Sequence, residues 1–245
     1  SPIYGIVLDL DFSNSTVNFS NPNQTLVVDY TNVATGAGAP MLDVRIEAIT
    51  PYIPQSAATG NNQNGSVGDD LKLHIDSGAS TLFRFSLFNA GTETLYDPGV
   101  DYSFDFVFYD LDGNVSNSRG ADQIIFYSPL TYTVTANTTI AITQDSSSIT
   151  FTGTAGAVNG NEGLTSFANA NQENASVNIE FSNLSQFDFT YGAPNNGAQD
   201  GGRNLLADPR DLVVNGTPTQ FVPEPTSYGL LLGLSAVVFV WRRRF

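Results

Sequence analysis

The stretch of sequence best suited to chemistry is the loop YDLDGNVSNSRGAD, in which oxygen-bearing side chains recur at alternate positions. Asp110, Asp112 and Asn114 supply carboxylate and amide oxygens around a glycine, and Asp122 follows a few residues later. Oxygen ligands wrapped around a glycine turn at this spacing are what Ca²⁺ prefers. The sequence therefore predicts a calcium site at Asp110, Asp112, Asn114 and Asp122.

Two other interpretations of this loop remain open. The loop is not a complete EF-hand: that motif carries a bidentate Glu at its twelfth position, and the twelfth residue counted from Asp110 is Ala121. The pair Asp112–Gly113 is also typical of a plain hairpin turn between two strands. Arg119 lies inside the same loop and can neutralise the carboxylates in place of a metal ion.

Other residue types that support catalysis are scarce. The chain has one histidine and no cysteine, which excludes a zinc site of the ordinary ligand type within one chain. Alternation in LKLHID puts His74 on the polar side of a strand, so we expect it to face solvent. The sequence contains no nucleophile elbow, complete dinucleotide-binding fingerprint or P-loop. We therefore expect a protein that is not an enzyme.

A hydrolase and a carbohydrate-binding module can function without a diagnostic sequence motif. A glycosidase needs two facing carboxylates, and the 24 Asp and Glu residues single out no pair. Asp101 and Asp105, for example, fit a solvated strand face better than an acid and base. Trp241, the one tryptophan, lies close to the C-terminus, although tyrosines such as Tyr30 and Tyr127 can stack on a sugar.

The charge of the chain limits its partners. Lys and Arg total 9 against 24 Asp and Glu, which gives a formal net charge of −15 at pH 7. Such a surface repels phosphate backbones, so we expect no nucleic-acid partner. The absence of cysteine also excludes a framework of disulfide bonds.

The elements that position these residues read as β-strands, because apolar residues recur at every second position in segments such as TLFRFSLF, DYSFDFVFYD and QFDFTY. Gly- and Asn-rich stretches separate them. The pattern predicts an all-β fold, an antiparallel β-sandwich (jelly-roll-like) that forms one domain over residues 1–221. We expect these residues to be buried: Phe83, Phe85, Leu87, Tyr102, Phe104, Phe106, Phe108, Val177, Ile179, Phe187 and Phe189. We expect these to be exposed: Arg84, Asp101, Asp105, Glu180 and Asp188.

The C-terminal segment FVPEPTSYGLLLGLSAVVFVWRRRF has a different composition from this body. Gly229 to Trp241 carries no charge and is almost wholly apolar. As a helix it would be roughly 20 Å long, shorter than the roughly 30 Å hydrocarbon layer of a bilayer. The sequence thus predicts a short C-terminal hydrophobic helix, preceded by an extended joint because Pro223 and Pro225 resist helix formation.

The order of features in residues 222–245 resembles the PEP-CTERM sorting signal of Gram-negative bacteria. The matching residues are Val222, Pro223, Glu224 and Pro225, then the apolar run, then Arg242, Arg243 and Arg244. The resemblance implies an exported protein that an exosortase recognises and processes. It also implies a precursor transiently anchored in the inner membrane, with the arginines in the cytoplasm, and a product at the cell surface or outside the cell.

These observations favour a non-enzymatic surface or extracellular-matrix protein with a structural or adhesive role. Its expected partners are the exosortase during export, and exopolysaccharide or similar surface proteins afterwards. The alternative function is that of a carbohydrate-binding module that acts on exopolysaccharide. A secreted hydrolase is a third, less favoured function. The first residues, SPIYGIVLDLDF, have neither a leading Met nor a basic segment, so we take the chain as a mature or truncated form without its signal peptide.

Overall fold

The computed structural model of the protein describes residues 5–224 except residues 22, 37, 115–119, 157–161, 195–200 and 210. This part of the chain folds into eighteen strands and two short helices. They are β1 (Ile6–Val7), β2 (Ser15–Ser20), β3 (Thr25–Tyr30), β4 (Leu42–Ala48), α1 (Ala57–Asn62), β5 (Gly65–Val67), β6 (Asp70–Asp76), β7 (Ser80–Asn89), β8 (Tyr102–Tyr109), β9 (Gly113–Asn114), β10 (Gly120–Ala121), β11 (Gln123–Phe126), β12 (Leu130–Thr133), β13 (Ile140–Gln144), β14 (Ile149–Gly153), α2 (Ala170–Asn174), β15 (Val177–Ser182), β16 (Gln186–Gly192), β17 (Gly202–Asp208) and β18 (Thr219–Phe221).

Sixteen of these strands form two eight-stranded sheets. The first sheet has the order β18-β12-β15-β8-β17-β6-β5, with β1 paired to β8 in parallel. The second sheet has the order β13-β14-β11-β16-β7-β4-β3-β2, and β9 pairs with β10. All of these pairings except that of β1 are antiparallel. The prediction of an all-β fold with antiparallel sheets is confirmed.

Aromatic rings from both sheets meet between them and hold the sandwich together. Phe181 of β15 stacks on Phe187 of β16 with ring centroids 4.0 Å apart. Phe85 of β7 stacks on Phe104 of β8 at 5.6 Å. These contacts join the two sheets, and one buried apolar cluster extends from Leu8 to Phe221. Burial of this apolar area is the main stabilising contribution to the fold.

The predicted register is confirmed in the strands that build this core. All eleven residues expected to be buried are buried, namely Phe83, Phe85, Leu87, Tyr102, Phe104, Phe106, Phe108, Val177, Ile179, Phe187 and Phe189. Asp101 and Glu180 are exposed as expected, but Arg84, Asp105 and Asp188 are half-buried. Arg84 and Asp188 lie opposite each other on β7 and β16. The Arg84 guanidinium donates two hydrogen bonds, of 2.7 and 2.9 Å, to the Asp188 carboxylate, and this contact removes part of both side chains from solvent.

The prediction that His74 faces solvent is wrong, because its side chain is 5% exposed. His74 does lie on the polar side of β6, opposite Asn204 of β17. That outer side of the first sheet is itself covered near α1, where Asn64 Oδ1 accepts a hydrogen bond from the His74 main-chain N–H at 2.9 Å. Alternation along a strand predicts which side a residue takes, but it does not predict whether another segment covers that side.

The outer side of the first sheet also carries a second, smaller apolar cluster. It contains Val107, Tyr109, Leu206, Leu212 and Val214. Tyr109 donates its hydroxyl hydrogen to Asp70 Oδ2 at 2.5 Å. The segment that follows β17 therefore folds back over the sheet.

The last strand brings the predicted sorting segment against the body. Thr219–Phe221 pairs with β12 and buries Phe221, whereas Val222 is exposed. The Glu224 N–H donates to the Ser146 carbonyl at 2.7 Å. Within the described ranges, no helix has the length and apolar character needed to cross a bilayer. The predicted hydrophobic helix lies outside the described residues, as do Pro225, Arg242, Arg243 and Arg244.

Candidate functional site

The structure brings two of the predicted calcium ligands together around an arginine. Asp112 follows β8, Asp122 lies between β10 and β11, and Arg203 belongs to β17. The Arg203 guanidinium contacts a carboxylate oxygen of each aspartate. Tyr191 of β16 donates its hydroxyl hydrogen to Asp122 Oδ1 at 2.9 Å. We call these four residues the Arg203 cluster.

Further hydrogen bonds fix the geometry of the Arg203 cluster. Arg203 Nε donates to Asp122 Oδ1 at 3.1 Å, and Nη2 donates to the Asp112 main-chain oxygen at 3.2 Å. The Asp112 N–H donates to Asp122 Oδ2 at 3.3 Å. Charge-assisted, multidentate hydrogen bonds of this kind are stronger than neutral ones. Because Arg203 belongs to the first sheet and Tyr191 to the second, the cluster joins the two sheets.

Burial dominates the electrostatics of the Arg203 cluster. It raises the pKa of Asp122 to about 6, although the positive charge of Arg203 opposes the shift. Burial disfavours the charged guanidinium too, but Asp122 and Asp112 outweigh that effect and raise the pKa of Arg203. Asp122 is 1% exposed and Asp112 is 5% exposed. The two carboxylates are thus turned towards the arginine in the interior, and solvent barely reaches them.

Two glycines allow the loop around Asp112 to approach β14 closely. A Cβ atom on Gly113 would lie 2.1 Å from the main-chain oxygen of Gly153, and a Cβ on Gly153 would lie 2.6 Å from that of Leu111. Neither position leaves room for a side chain. This close packing of two backbones holds Asp112 at the end of the sandwich, where Arg203 reaches it.

The Arg203 cluster changes the interpretation of the predicted loop. A hairpin is present, since β9 pairs with β10, but Asp112–Gly113 leads into its first strand and does not form its turn. Arg119, the cation expected to neutralise the acids, lies outside the described residues. Asp110 has a left-handed backbone with φ of 60°. Arg203 was not predicted as part of the site, because it lies 81 residues beyond Asp122 in a Gly- and Asn-rich stretch, GAPNNGAQDGGRN, whose composition is typical of a loop.

The calcium site stays a prediction. Among the residues that the structure describes, no three or more His, Asp or Glu side chains are placed to hold a metal ion, and the Asn114 side chain is not among them. A bound ion would add RT ln(1 + [Ca²⁺]/Kd) to the free energy of unfolding, about 2.7 kcal/mol at 100 times Kd. The prediction therefore requires calcium to raise the melting temperature and a chelator to lower it. It requires both effects to disappear in Asp110→Ala. An unchanged melting temperature would leave Arg203 as the cation that these acids bind.

A second candidate site is a surface depression of about 400 Å³ near β3, β4 and the end of β7. Arg45 lines it. The Arg45 guanidinium donates to Asp29 Oδ1 at 2.6 Å and to Glu93 Oε2 at 2.9 Å, and lies over the Phe88 ring at 5.8 Å. Asp43 also lines it. Polar hydrogen-bonding groups around a shallow concave surface suit a hydroxyl-rich ligand.

Comparison with known proteins identifies the C-terminal segment. Residues 221–244 match the family model of the PEP-CTERM protein-sorting motif. The matched range includes Val222, Pro223, Glu224 and Pro225 as well as Arg242, Arg243 and Arg244, so the predicted resemblance is confirmed. No curated protein sequence matches the chain at a significant level.

Two adhesin structures are similar to the body of the chain. The N-terminal domain of the Streptococcus gordonii adhesin Sgo0707 has 13% sequence identity and a TM-score of 0.44, over 80% of this chain and 47% of that one. The adhesin domain of PrgB from Enterococcus faecalis also has 13% identity and a TM-score of 0.44, over 81% of this chain and 66% of that one. The chain thus spans about half of the first structure and just under two thirds of the second. Similarity of this degree does not establish a shared function.

Proposed function

Because residues 221–244 are a PEP-CTERM protein-sorting motif, we propose that the chain is an exported bacterial surface or extracellular-matrix protein with a structural or adhesive, non-enzymatic role. The motif is the observation that carries this proposal, since it implies export and processing by an exosortase. The body is residues 1–221, and the tail is residues 222–245. In the precursor the tail crosses or enters the inner membrane with its arginines on the cytoplasmic side.

The structure of the body supports a passive role. Asp112 and Asp122, the acids drawn together at the end of the sandwich, are paired to Arg203 and nearly inaccessible. Their energetic role is to fix the loop and join the sheets. A surface with excess negative charge keeps a protein soluble, which suits a protein that works in a hydrated polysaccharide matrix.

Intact mass of the protein recovered from producing cells tests this proposal. We expect the released protein to end near Pro223 to Pro225, and therefore to lack Arg242, Arg243 and Arg244. Recovery of extracellular protein with Phe245 intact would contradict processing. Replacement of the three arginines with glutamine should reduce processing, because the basic cluster that orients the apolar segment is lost. Replacement of Arg45 with glutamine is the matched control and should leave processing unchanged, because Arg45 lies in the body.

The surface depression at Arg45 favours one alternative function, a carbohydrate-binding module for exopolysaccharide. Arg45, Asp29 and Glu93 offer charged hydrogen-bonding groups to a polar ligand. Binding of the purified protein to isolated exopolysaccharide, compared between wild type and Glu93→Ala, separates the two functions. A structural or adhesive protein that does not use this depression should bind equally in wild type and Glu93→Ala, whereas a binding module built on the depression should lose affinity in the variant.

A further inference from the structure

The single lysine and the single histidine of the chain lie two residues apart on β6, on the covered outer side of the first sheet. Lys72 is 6% exposed. Its ammonium lies 2.7 Å from Glu162 Oε1 and donates to Gln63 Oε1 at 2.8 Å. Lysine is almost never buried unless it is paired, because its ammonium is strongly hydrated. Glu162 and Gln63 pair Lys72 in this way, so its amine is held in a fixed position beside the Glu162 carboxylate.

Glu162 connects this amine to the side-chain amide of Asn204. Asn204 Nδ2 donates a hydrogen bond of 2.9 Å to Glu162 Oε1, the same oxygen that holds Lys72. One carboxylate oxygen thus lies between an amine and an amide nitrogen. In that position it can accept a proton from the amine and pass a proton to the amide nitrogen, which is general acid–base catalysis.

His74 holds the other end of the same amide. His74 Nδ1 and Asn204 Oδ1 are 2.8 Å apart. A carbonyl oxygen can only accept, so Nδ1 carries the hydrogen and donates it. Burial lowers the pKa of His74, so the ring is the neutral tautomer with its hydrogen on Nδ1. A donor at this oxygen stabilises the negative charge that develops when a nucleophile attacks the amide carbon.

From this geometry we propose that Lys72 and Asn204 form an intramolecular isopeptide bond. The ammonium first releases one proton to solvent by way of Glu162, whose side chain is partly exposed. The neutral amine then attacks Cγ of Asn204, a bond forms between Nζ and Cγ, and the bond between Cγ and Nδ2 breaks. Glu162 moves one amine proton to the leaving nitrogen, which departs as ammonia. The reaction needs no oxidant and no cofactor.

The bond would fasten two neighbouring strands of the first sheet to each other. β6 and β17 are paired, with Asn204 opposite His74 and Leu206 opposite Lys72. Lys72 and Asn204 are therefore diagonal neighbours on one side of the sheet, a separation that long side chains can span. Such a cross-link closes the chain covalently between residues 72 and 204. It provides a covalent constraint to a protein that has no cysteine.

Mass spectrometry of the denatured full chain tests the proposal directly, with both termini identified by peptide mapping. We expect wild type to be lighter than its sequence by one ammonia, about 17 Da, and to yield a branched peptide that joins Lys72 to Asn204. Lys72→Arg keeps the cation but removes the nucleophile, and it should have the full sequence mass. Asn178→Ala, a change to a half-buried asparagine of another strand, should retain the deficit.

The proposal is overturned if wild type has its full sequence mass, or if trypsin cleaves completely after Lys72. A branched peptide that contains Gln63 instead would overturn the choice of Asn204. Glu162→Gln preserves the size of the side chain but removes the base, so it should fold with an unchanged circular dichroism spectrum and remain uncross-linked. Complete cross-linking in Glu162→Gln would contradict the role of the carboxylate. Because the chain is denatured before measurement, a salt bridge cannot produce these results.

Discussion

Replacement of Arg203 with methionine should destabilise the protein by about 3–5 kcal/mol at neutral pH, because it leaves two buried carboxylates without their cation. The Arg203 side chain is only 14% exposed, so solvent cannot take its place. Arg84→Met is the matched control, since Arg84 also pairs with an aspartate but both side chains are about one third exposed. An ion pair that is exposed to this extent contributes about 1 kcal/mol or less to the free energy of unfolding. Chemical denaturation of both variants measures the difference.

The loss in Arg203→Met should depend on pH in a defined direction. Burial raises the pKa of Asp122 from 3.8 to about 6, so the folded state binds a proton more tightly than the unfolded state does. The free energy of unfolding that Asp122 contributes therefore falls as pH rises from about 4 to about 6. Without the opposing charge of Arg203, the pKa rises further and the fall becomes larger. The difference between wild type and variant should thus be smaller at pH 5 than at pH 8.

Two outcomes would contradict this account of the Arg203 cluster. One is an equal loss of stability at pH 5 and pH 8, which would mean that the unpaired carboxylate charge is not the cause. The other concerns the double variant Arg203→Met with Asp122→Asn. Removal of the buried charge should restore part of the stability at pH 8, so an additive further loss would show that the two residues act independently.

Truncation of Phe181 to alanine should cost about 3–5 kcal/mol, because it removes a buried ring from the interface between the two sheets. The Phe181 ring is 0% exposed and lies 4.0 Å from that of Phe187 in the other sheet. It also contacts Phe104 and Phe126. Packed aromatic pairs add stabilisation beyond the area they bury. Thermal melting should show a decrease of about 2–4 °C for each kcal/mol lost.

Tyr127→Ala provides the control for this truncation. It removes an aromatic ring of similar size from a position that is 42% exposed. Its hydroxyl forms a hydrogen bond with the Thr190 hydroxyl at 2.9 Å. We expect a cost of about 1 kcal/mol or less. Equal losses in the two variants would show that Phe181 does not pack the interface as described.

The strands and the residues that they bury could be predicted from the sequence. The segments that cover the outer side of the first sheet could not. Alternation in β7, β8, β15 and β16 follows directly from the geometry of a strand, so the buried rings could be assigned residue by residue. The surroundings of His74 could not, because coverage of the outer side of β6 depends on α1 and on Glu162, which are remote in sequence or weak in pattern.

The Arg203 cluster shows the same limit for the candidate site. The acids Asp112 and Asp122 were identified from local spacing, which is a property of a short segment. Their cation was not, because Arg203 reaches them through the pairing of β17 with β6 and β8. A partner brought in by strand order leaves no local signal in a single sequence. The PEP-CTERM motif at residues 221–244 could be recognised from the sequence, because all of its parts lie in one continuous segment.

The position of β17 has a consequence for the order in which the molecule can assemble. It is the seventeenth strand along the chain, yet it lies between β8 and β6 in the middle of the first sheet. Strands β5 and β6 pair with each other, and β17 alone pairs them with the rest of that sheet. They therefore cannot join the sheet until residues 202–208 are in place. Pairings between distant segments form slowly, because the entropy of closing a long loop is lost before contacts compensate for it. During N-to-C delivery across a membrane, we expect the chain to remain unfolded until about its last fifth, which begins with β17, arrives. The sandwich would then form on the far side.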